Sequence, residues 1–297
     1  MKACEPSHLL VSGLRVYLTK YVTPIRGKRF HRAPHDFMAT RGLYAAVSPV
    51  LNLDQPSEWP AALKITLTEV RPIIRAWEFG LSAKNAANFD HAINLLSDAL
   101  KPYSIRGWHC TRLTDGEVNA VEADGLVPMS IDLIERRIAF QVQGGLVSTV
   151  VGDALRAAHL GSAHNRAGMI WFCFFPPKDA GEDGIHRLLR YWGGEAVYLT
   201  HGLNGSIASV LRQLGRPCIV EADVPVASLS QPSTFTLARL ISRRDLNHRG
   251  GAVDELYLFE GYAVHAIPGD CIRVVHRFPS ASFTALSGCD GWRVPLS

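Results

Sequence analysis

The stretch RGWHCTRLTDGEVNAVEADGLVPMS, residues 106–130, decides how the chain is read. Its first part extends a short strand from Ile105 to Thr111. Side chains alternate across a strand, so His109 and Thr111 share one face while Cys110 takes the other. Thr114 then caps a helix, and Glu117, three residues on, completes a capping box. Asp124-Gly125 ends that helix and Leu126 opens a new segment. A His and a Thr at the end of a strand, with main chain between them able to bind a planar amide, make a candidate ligand site.

Reading outward, helical patterns are predicted over 131–142 and 148–159, followed by a strongly apolar strand from Met169 to Phe175. A helix over 184–193, a strand over 217–224 and two strands over 255–276, around the turn Ile267-Pro268-Gly269-Asp270, complete the second part. Toward the N-terminus, 13–22 reads as a strand and is followed by a basic loop. Leu63, Ile65 and Leu67 alternate as in a strand until Arg71-Pro72 interrupts. A helix over 85–100 stops at Lys101-Pro102, which predicts a boundary near 103 between a smaller basic α+β region, 1–103, and a second domain, 104–297. Short strands with inserted helices and no regular βαβ alternation point to α+β and away from a doubly wound sheet.

The 297 residues are 47% hydrophobic and 20% charged, a globular composition that excludes a disordered or fibrous chain. Arginine outnumbers lysine, 24 to 7, and the charge is uneven: 13 basic and 8 acidic groups over 1–105, against 18 and 19 over 106–297. Within 15–41, seven basic side chains face Asp36 alone. Such a patch is either a footprint for a polyanion or a solvated face. With the loop Arg239–Arg249, it suggests a groove for a phosphate backbone in which Arg26, Lys28, Arg29, Arg32, Arg243 and Arg244 bind the acceptor.

The six cysteines form no CxxC or CxxxC pair, which argues against a zinc ribbon, a redox motif or a disulfide framework, and no metal is expected. No run of 18 apolar residues and no signal-like N-terminus occur, so a soluble cytoplasmic protein without a membrane partner is expected. Neither GxxxxGK[ST] nor GxGxxG is present. His109 and Cys110, adjacent on a strand, face opposite ways and cannot pair as a hydrolase dyad.

Trp108, His109, Cys110 and Thr111, followed by a helix ending in Gly125-Leu126, resemble the first motif of the ADP-ribosyltransferase superfamily, in its poly(ADP-ribose) polymerase-like and DNA-targeting toxin-like branches. The strand GMIWFCFF, 168–175, resembles the second motif, with Trp171 in the place of a stacking tyrosine and Tyr198 as its rival. Glu260, then Tyr262, Val264, the IPGD turn and a further apolar strand, resembles the third; Glu255 and Glu221 are competing acids. PCIVEADVP, 217–225, is similar to the strand between the second and third motifs.

The resemblance covers roughly 105–278 and implies a split β-sheet core that uses NAD as co-substrate, without a metal. It implies that His109 meets a ribose hydroxyl and that the main chain of Cys110, with Thr111 beside it, holds the carboxamide. It further implies that Trp171 stacks on nicotinamide and that Glu260 is the catalytic acid. Arg112, Arg136 and Arg137 are candidates for the pyrophosphate. Cys110 departs from the family's small residue, and Trp171 from its tyrosine. The implied activity is mono-ADP-ribosyl transfer to a macromolecule; the basic N-terminal third and Arg239–Arg249 favour RNA or DNA over protein as acceptor, and a toxin or phage-defence role with an inhibitory partner protein follows from that acceptor. RNA 2′-phosphotransfer and a non-catalytic nucleic-acid-binding module on the same fold are the rivals. The chemistry needs a carboxylate because breaking the nicotinamide–ribose bond leaves positive charge on the sugar.

Overall fold

The computed structural model describes residues 48–81, 85–254 and 259–296. The predicted strand over 13–22 and the acceptor candidates Arg26, Lys28, Arg29 and Arg32 lie outside the described residues, as does Glu255. The fold is α+β, with a six-stranded sheet and ten α-helices among the described residues.

The strands are β1 (Val50–Leu51), β2 (Ser104–Leu113), β3 (Ile170–Cys173), β4 (Arg216–Pro225), β5 (Glu260–Ala263) and β6 (Ile272–Arg277). Their order is β5-β3-β2-β4-β6, with each pair antiparallel, and β1 runs parallel beside the start of β2. The ladder between β2 and β4 is continuous from Ser104↔Pro225 to Leu113↔Arg216. On its other edge β2 meets β1 at Ser104 and Ile105 and meets β3 at a single registered pair, Trp108↔Cys173. Beyond Trp108 the sheet opens, and the β3-side edge of residues 109–113 carries no strand among the described residues. The strands predicted around the IPGD turn are present, but β5 and β6 lie at opposite edges of the sheet.

Helices cover both faces. On one face lie α1 (Ala61–Glu78) and α2 (Ala86–Leu100). Next along the chain come α3 (Asp115–Asp124), α4 (Ile131–Gln143), α5 (Thr149–Ala157), α6 (Gly181–Arg190), α7 (Glu195–His201) and α8 (Gly205–Gln213). The last two are α9 (Gln231–His248) and α10 (Ala281–Ser287). The main core unites α1, α2 and α9 with Ile105, Phe172, Val220, Ala222 and Val275 of the sheet. The opposite face packs Cys110 and Ile219 against Ile185 and Leu189 of α6 and Phe283 of α10. A third cluster, built on Ile134, Leu155, Trp192, Val197 and Leu211, holds α4, α5, α7 and α8 together.

Three expectations are corrected. Leu63, Ile65 and Leu67 lie in α1, which continues through Pro72; Leu63, Leu67, Val70 and Ile74 are buried at helical spacing, whereas Ile65 is 61% exposed. The expected boundary near 103 falls inside a continuous core reaching from Leu51 to Val275, and Ser48–Ser297 is one compact unit. The expected basic loop 239–249 is almost wholly the C-terminal half of α9, which starts from the Ser230 cap with Pro232 in its first turn.

The turn after α3 ties two distant parts of the chain together. Leu126 N–H donates to the Ile267 carbonyl and Ile267 N–H donates to the Leu126 carbonyl, both at 2.8 Å. Gly125, at φ +88°, sits so close to the Ile267 carbonyl oxygen that a Cβ would collide with it. A glycine there is dictated by conformation and by space together. This clasp fixes the segment leaving β5 against the helix that follows β2.

Candidate active site at the opening of the sheet

Strand alternation and register decide which side chains can meet. Glu260 opposes Cys173, Cys173 opposes Trp108, and Trp108 opposes Glu221, so these four share one row and one face of the sheet. Trp171 opposes Tyr262 in the adjacent row on that face, their ring centroids 4.9 Å apart and tilted by 44°. Trp171 is 42% exposed although it stands in the middle of a strand, so it presents an aromatic surface that the core does not use.

His109 and Thr111 take the other face of β2. Where β3 leaves β2, the His109 imidazole fills the gap: its Nδ1–H donates to the Trp171 carbonyl at 2.8 Å, and its ring lies edge-on to Phe172 with centroids 6.0 Å apart. Donation through Nδ1 leaves Nε2 as an acceptor. Burial lowers the affinity of His109 for a proton; the Trp171 carbonyl opposes this and the nearby Arg137 charge reinforces it, with a net downward shift. A neutral imidazole with a free acceptor nitrogen suits a hydroxyl donor. No direct hydrogen bond joins His109 to Glu260; the two are related through the backbone of β3.

Glu260 opens β5. Desolvation, and then the charge of Glu195, push its carboxyl above the ordinary range. Glu195 begins α7, is paired with Arg166 at 2.7 Å, and accepts from the Tyr198 hydroxyl at 3.2 Å. Tyr198 is buried, and burial followed by the Glu195 charge pushes its hydroxyl up. It is therefore a support for Glu195 rather than an exposed stacking ring. The Cys110 thiol is buried against Cys173; their hydrogen bond, burial and the Glu260 charge all push it up. Cys110 is a protonated thiol at neutral pH, not a nucleophile.

Of the arginine candidates, only Arg137 comes near the site. Its Nε donates to Glu117 at 2.7 Å, its guanidinium lies 4.7 Å from the Trp192 ring centroid, its charge is felt by His109, and its Nη2 is buried without a hydrogen-bond partner. Arg112 is corrected: only 3% exposed, it donates to the Leu214 and Leu189 carbonyls and serves packing. Arg136 is exposed and donates to the Asp132 carbonyl. Glu221 is committed to Arg106 and His276, whereas Glu260 stands in register with Cys173 of β3.

The expected acceptor residues on α9 are corrected as well. Arg243 grips Glu78 in a two-pronged ion pair, both contacts at 2.9 Å, and Arg244 donates to Asp54 at 2.6 Å. Both guanidiniums are already neutralised by acids of this chain. Sequence reasoning missed Glu195, Arg166 and Cys173, and it placed Tyr262 in the third motif without a role. Arg166 had no signal because a turn places it, and Glu195 had none because α7 starts after Gly194 without a capping side chain.

The chain matches no protein-family model, no curated protein and no solved structure. Among the described residues no helix is long and apolar enough to cross a membrane.

Proposed function

We propose that this protein transfers ADP-ribose from NAD to a macromolecular acceptor at the opening between β2 and β3. The observation that carries the proposal is the strand order. Residues 109, 171 and 260, far apart in sequence, stand on three consecutive neighbours of one sheet, β2, β3 and β5. The side chains present suit NAD: an exposed indole for the nicotinamide ring, a neutral imidazole acceptor for a ribose hydroxyl, and a carboxylate for the sugar.

In this mechanism the bond between the nicotinamide nitrogen and the ribose carbon breaks, and nicotinamide leaves with the bonding electron pair. Ionised Glu260 stabilises the positive charge that develops on the sugar. The acceptor's nucleophilic atom then bonds to that carbon and gives up its proton, with Glu260 as the base within reach. Trp171 and His109 hold the donor in place, a positioning effect.

A nucleic-acid acceptor is favoured by the surplus of basic side chains over 15–41, since Arg243 and Arg244 no longer contribute to that argument. A toxin or phage-defence role follows from that acceptor, because the modification would harm the cell that makes the enzyme. The test incubates the full chain with NAD labelled in the adenylate moiety and separate pools of DNA, RNA and protein. Label in the nucleic-acid pools is expected. Label in protein alone moves the acceptor to protein, and polyanion binding without loss of NAD overturns the enzymatic reading.

A further inference from the structure

On the far side of the sheet from β5, a second group of reactive side chains lies outside the opening just described. His276 of β6 stands between Ser282 and Glu221: its Nδ1 is 2.9 Å from the Ser282 hydroxyl oxygen and its Nε2 is 3.0 Å from a Glu221 carboxylate oxygen. The tautomer follows from the partners. A carboxylate can only accept, so Nε2 carries the proton and donates to Glu221; Nδ1 is then the acceptor and the Ser282 hydroxyl donates to it.

The supporting shell is complete. Arg106 pairs with Glu221 and also donates to Asp223 at 2.8 Å, so the acid is anchored from the side away from the histidine. Burial would raise the Glu221 carboxyl, and the His276 hydrogen bond with the Arg106 charge outweighs it, so the group lies below its ordinary range and is ionised at neutral pH. His276 and Glu221 are mostly covered, with side chains 11% and 15% exposed. Ser282 is exposed, so the only hydroxyl in hydrogen-bond contact with His276 is also the one a solvent-borne molecule can reach. A nucleophile, a base and an acid that orients the base are thus linked by hydrogen bonds in one chain.

We propose that Ser282, His276 and Glu221 form a second reactive site, which takes small carboxylic esters by acyl transfer. The Ser282 oxygen attacks the ester carbonyl carbon and its proton passes to His276 Nδ1. The ester's carbon–oxygen bond breaks, and the alcohol leaves with that proton, giving an acyl-serine. Water then adds to the acyl carbon, its proton again taken by His276, and the carboxylic acid departs as Ser282 regains its proton. Glu221 is a positioning residue: it holds the imidazole in the tautomer that can accept.

The test uses the full chain with an alkyl fluorophosphonate, in which the serine oxygen displaces fluoride at phosphorus, and locates the adduct by peptide mass spectrometry. Ser206 is the internal reference, since its exposed hydroxyl contacts only Asn204 at 3.0 Å. Labelling of Ser282 is expected to exceed that of Ser206 by about 100-fold, the contribution of a positioned base. His276→Asn is expected to bring Ser282 down to the Ser206 level. Because the His276 side chain is mostly covered, a second variant keeps the test independent of folding. Ser282→Ala removes an exposed hydroxyl that contacts His276 at 2.9 Å and Ser280 at 3.3 Å, and it is expected to abolish hydrolysis of p-nitrophenyl acetate above the buffer rate. Equal labelling of the two serines, or ester hydrolysis undiminished in Ser282→Ala, overturns the proposal.

Discussion

Removing the Glu117 side chain tests how the helix after β2 supports the opening of the sheet. Its carboxylate accepts from Thr114 N–H at 2.8 Å, from the Arg137 Nε at 2.7 Å and from the Trp192 indole N–H at 2.9 Å. In Glu117→Ala the helix loses its capping box, an effect of about 1 kcal/mol. Arg137, whose side chain is 18% exposed beside an acid at 11%, keeps a largely buried charge without its partner. Breaking such a pair from one side typically costs about 3–5 kcal/mol, a figure that already contains much of the orphaned-donor penalty, so the expected total is about 4 kcal/mol.

A loss of that size is a large share of an ordinary domain's stability, and urea denaturation followed by tryptophan fluorescence will read it as a lowered midpoint. The pH dependence carries a second signature. Burial raises the Glu117 carboxyl, but the charge and hydrogen bond of Arg137, with the hydrogen bonds from Thr114 N–H and Trp192, lower it by more, so its folded pKa lies below the unfolded value. The stabilisation is therefore complete above the unfolded value of about 4.3 and fades as pH falls through the folded one. The variant lacks that decline. A destabilisation below about 1 kcal/mol would show that Glu117 is a surface cap and not the buried hub described here.

Trp171→Ala is expected to raise the KM for NAD about tenfold, as for loss of one base-sized stacking contact, with little change in thermal midpoint; Trp171→Phe should retain most of the affinity. Unchanged KM in the alanine variant removes Trp171 from the site. Because desolvation and Glu195 hold Glu260 high, the acid limb of the rate profile should lie above the ordinary carboxylate range and move down in Glu195→Gln. An acid limb that stays put argues that Glu195 does not face Glu260. Gly125→Ala, forced against the Ile267 carbonyl at φ +88°, should lower stability by about 2–4 kcal/mol, as read by thermal denaturation. Arg243→Gln should destabilise the fold by about 3 kcal/mol through the orphaned Glu78 and leave the salt dependence of nucleic-acid binding unchanged. A shallower salt slope would restore Arg243 to the acceptor surface.

The local grammar was legible where one segment carries its own signals. Thr114 and Glu117 announced the capped helix, and Gly125 announced its end. Leu63, Ile65 and Leu67 misled because residues at i and i+4 belong to both a strand face and a helix face; Val70 before Arg71-Pro72 and Ile74 after it carry the helical period through. Arg243 and Arg244 looked like a free basic run because the acids that neutralise them, Glu78 and Asp54, lie 165 and 190 residues away along the chain. The resemblance singled out His109 and Glu260 but not their spatial relation: alternation puts them on opposite faces of the sheet, with β3 between their strands.

Release of nicotinamide from NAD by the full chain, compared with Glu260→Gln, tests the central claim most directly. The expected result is catalytic release by the natural sequence and a fall of about 100-fold or more in the variant, with NAD affinity and thermal midpoint little changed. Absence of nicotinamide release in the presence of DNA, RNA and protein acceptors, or equal release by both proteins, would contradict it.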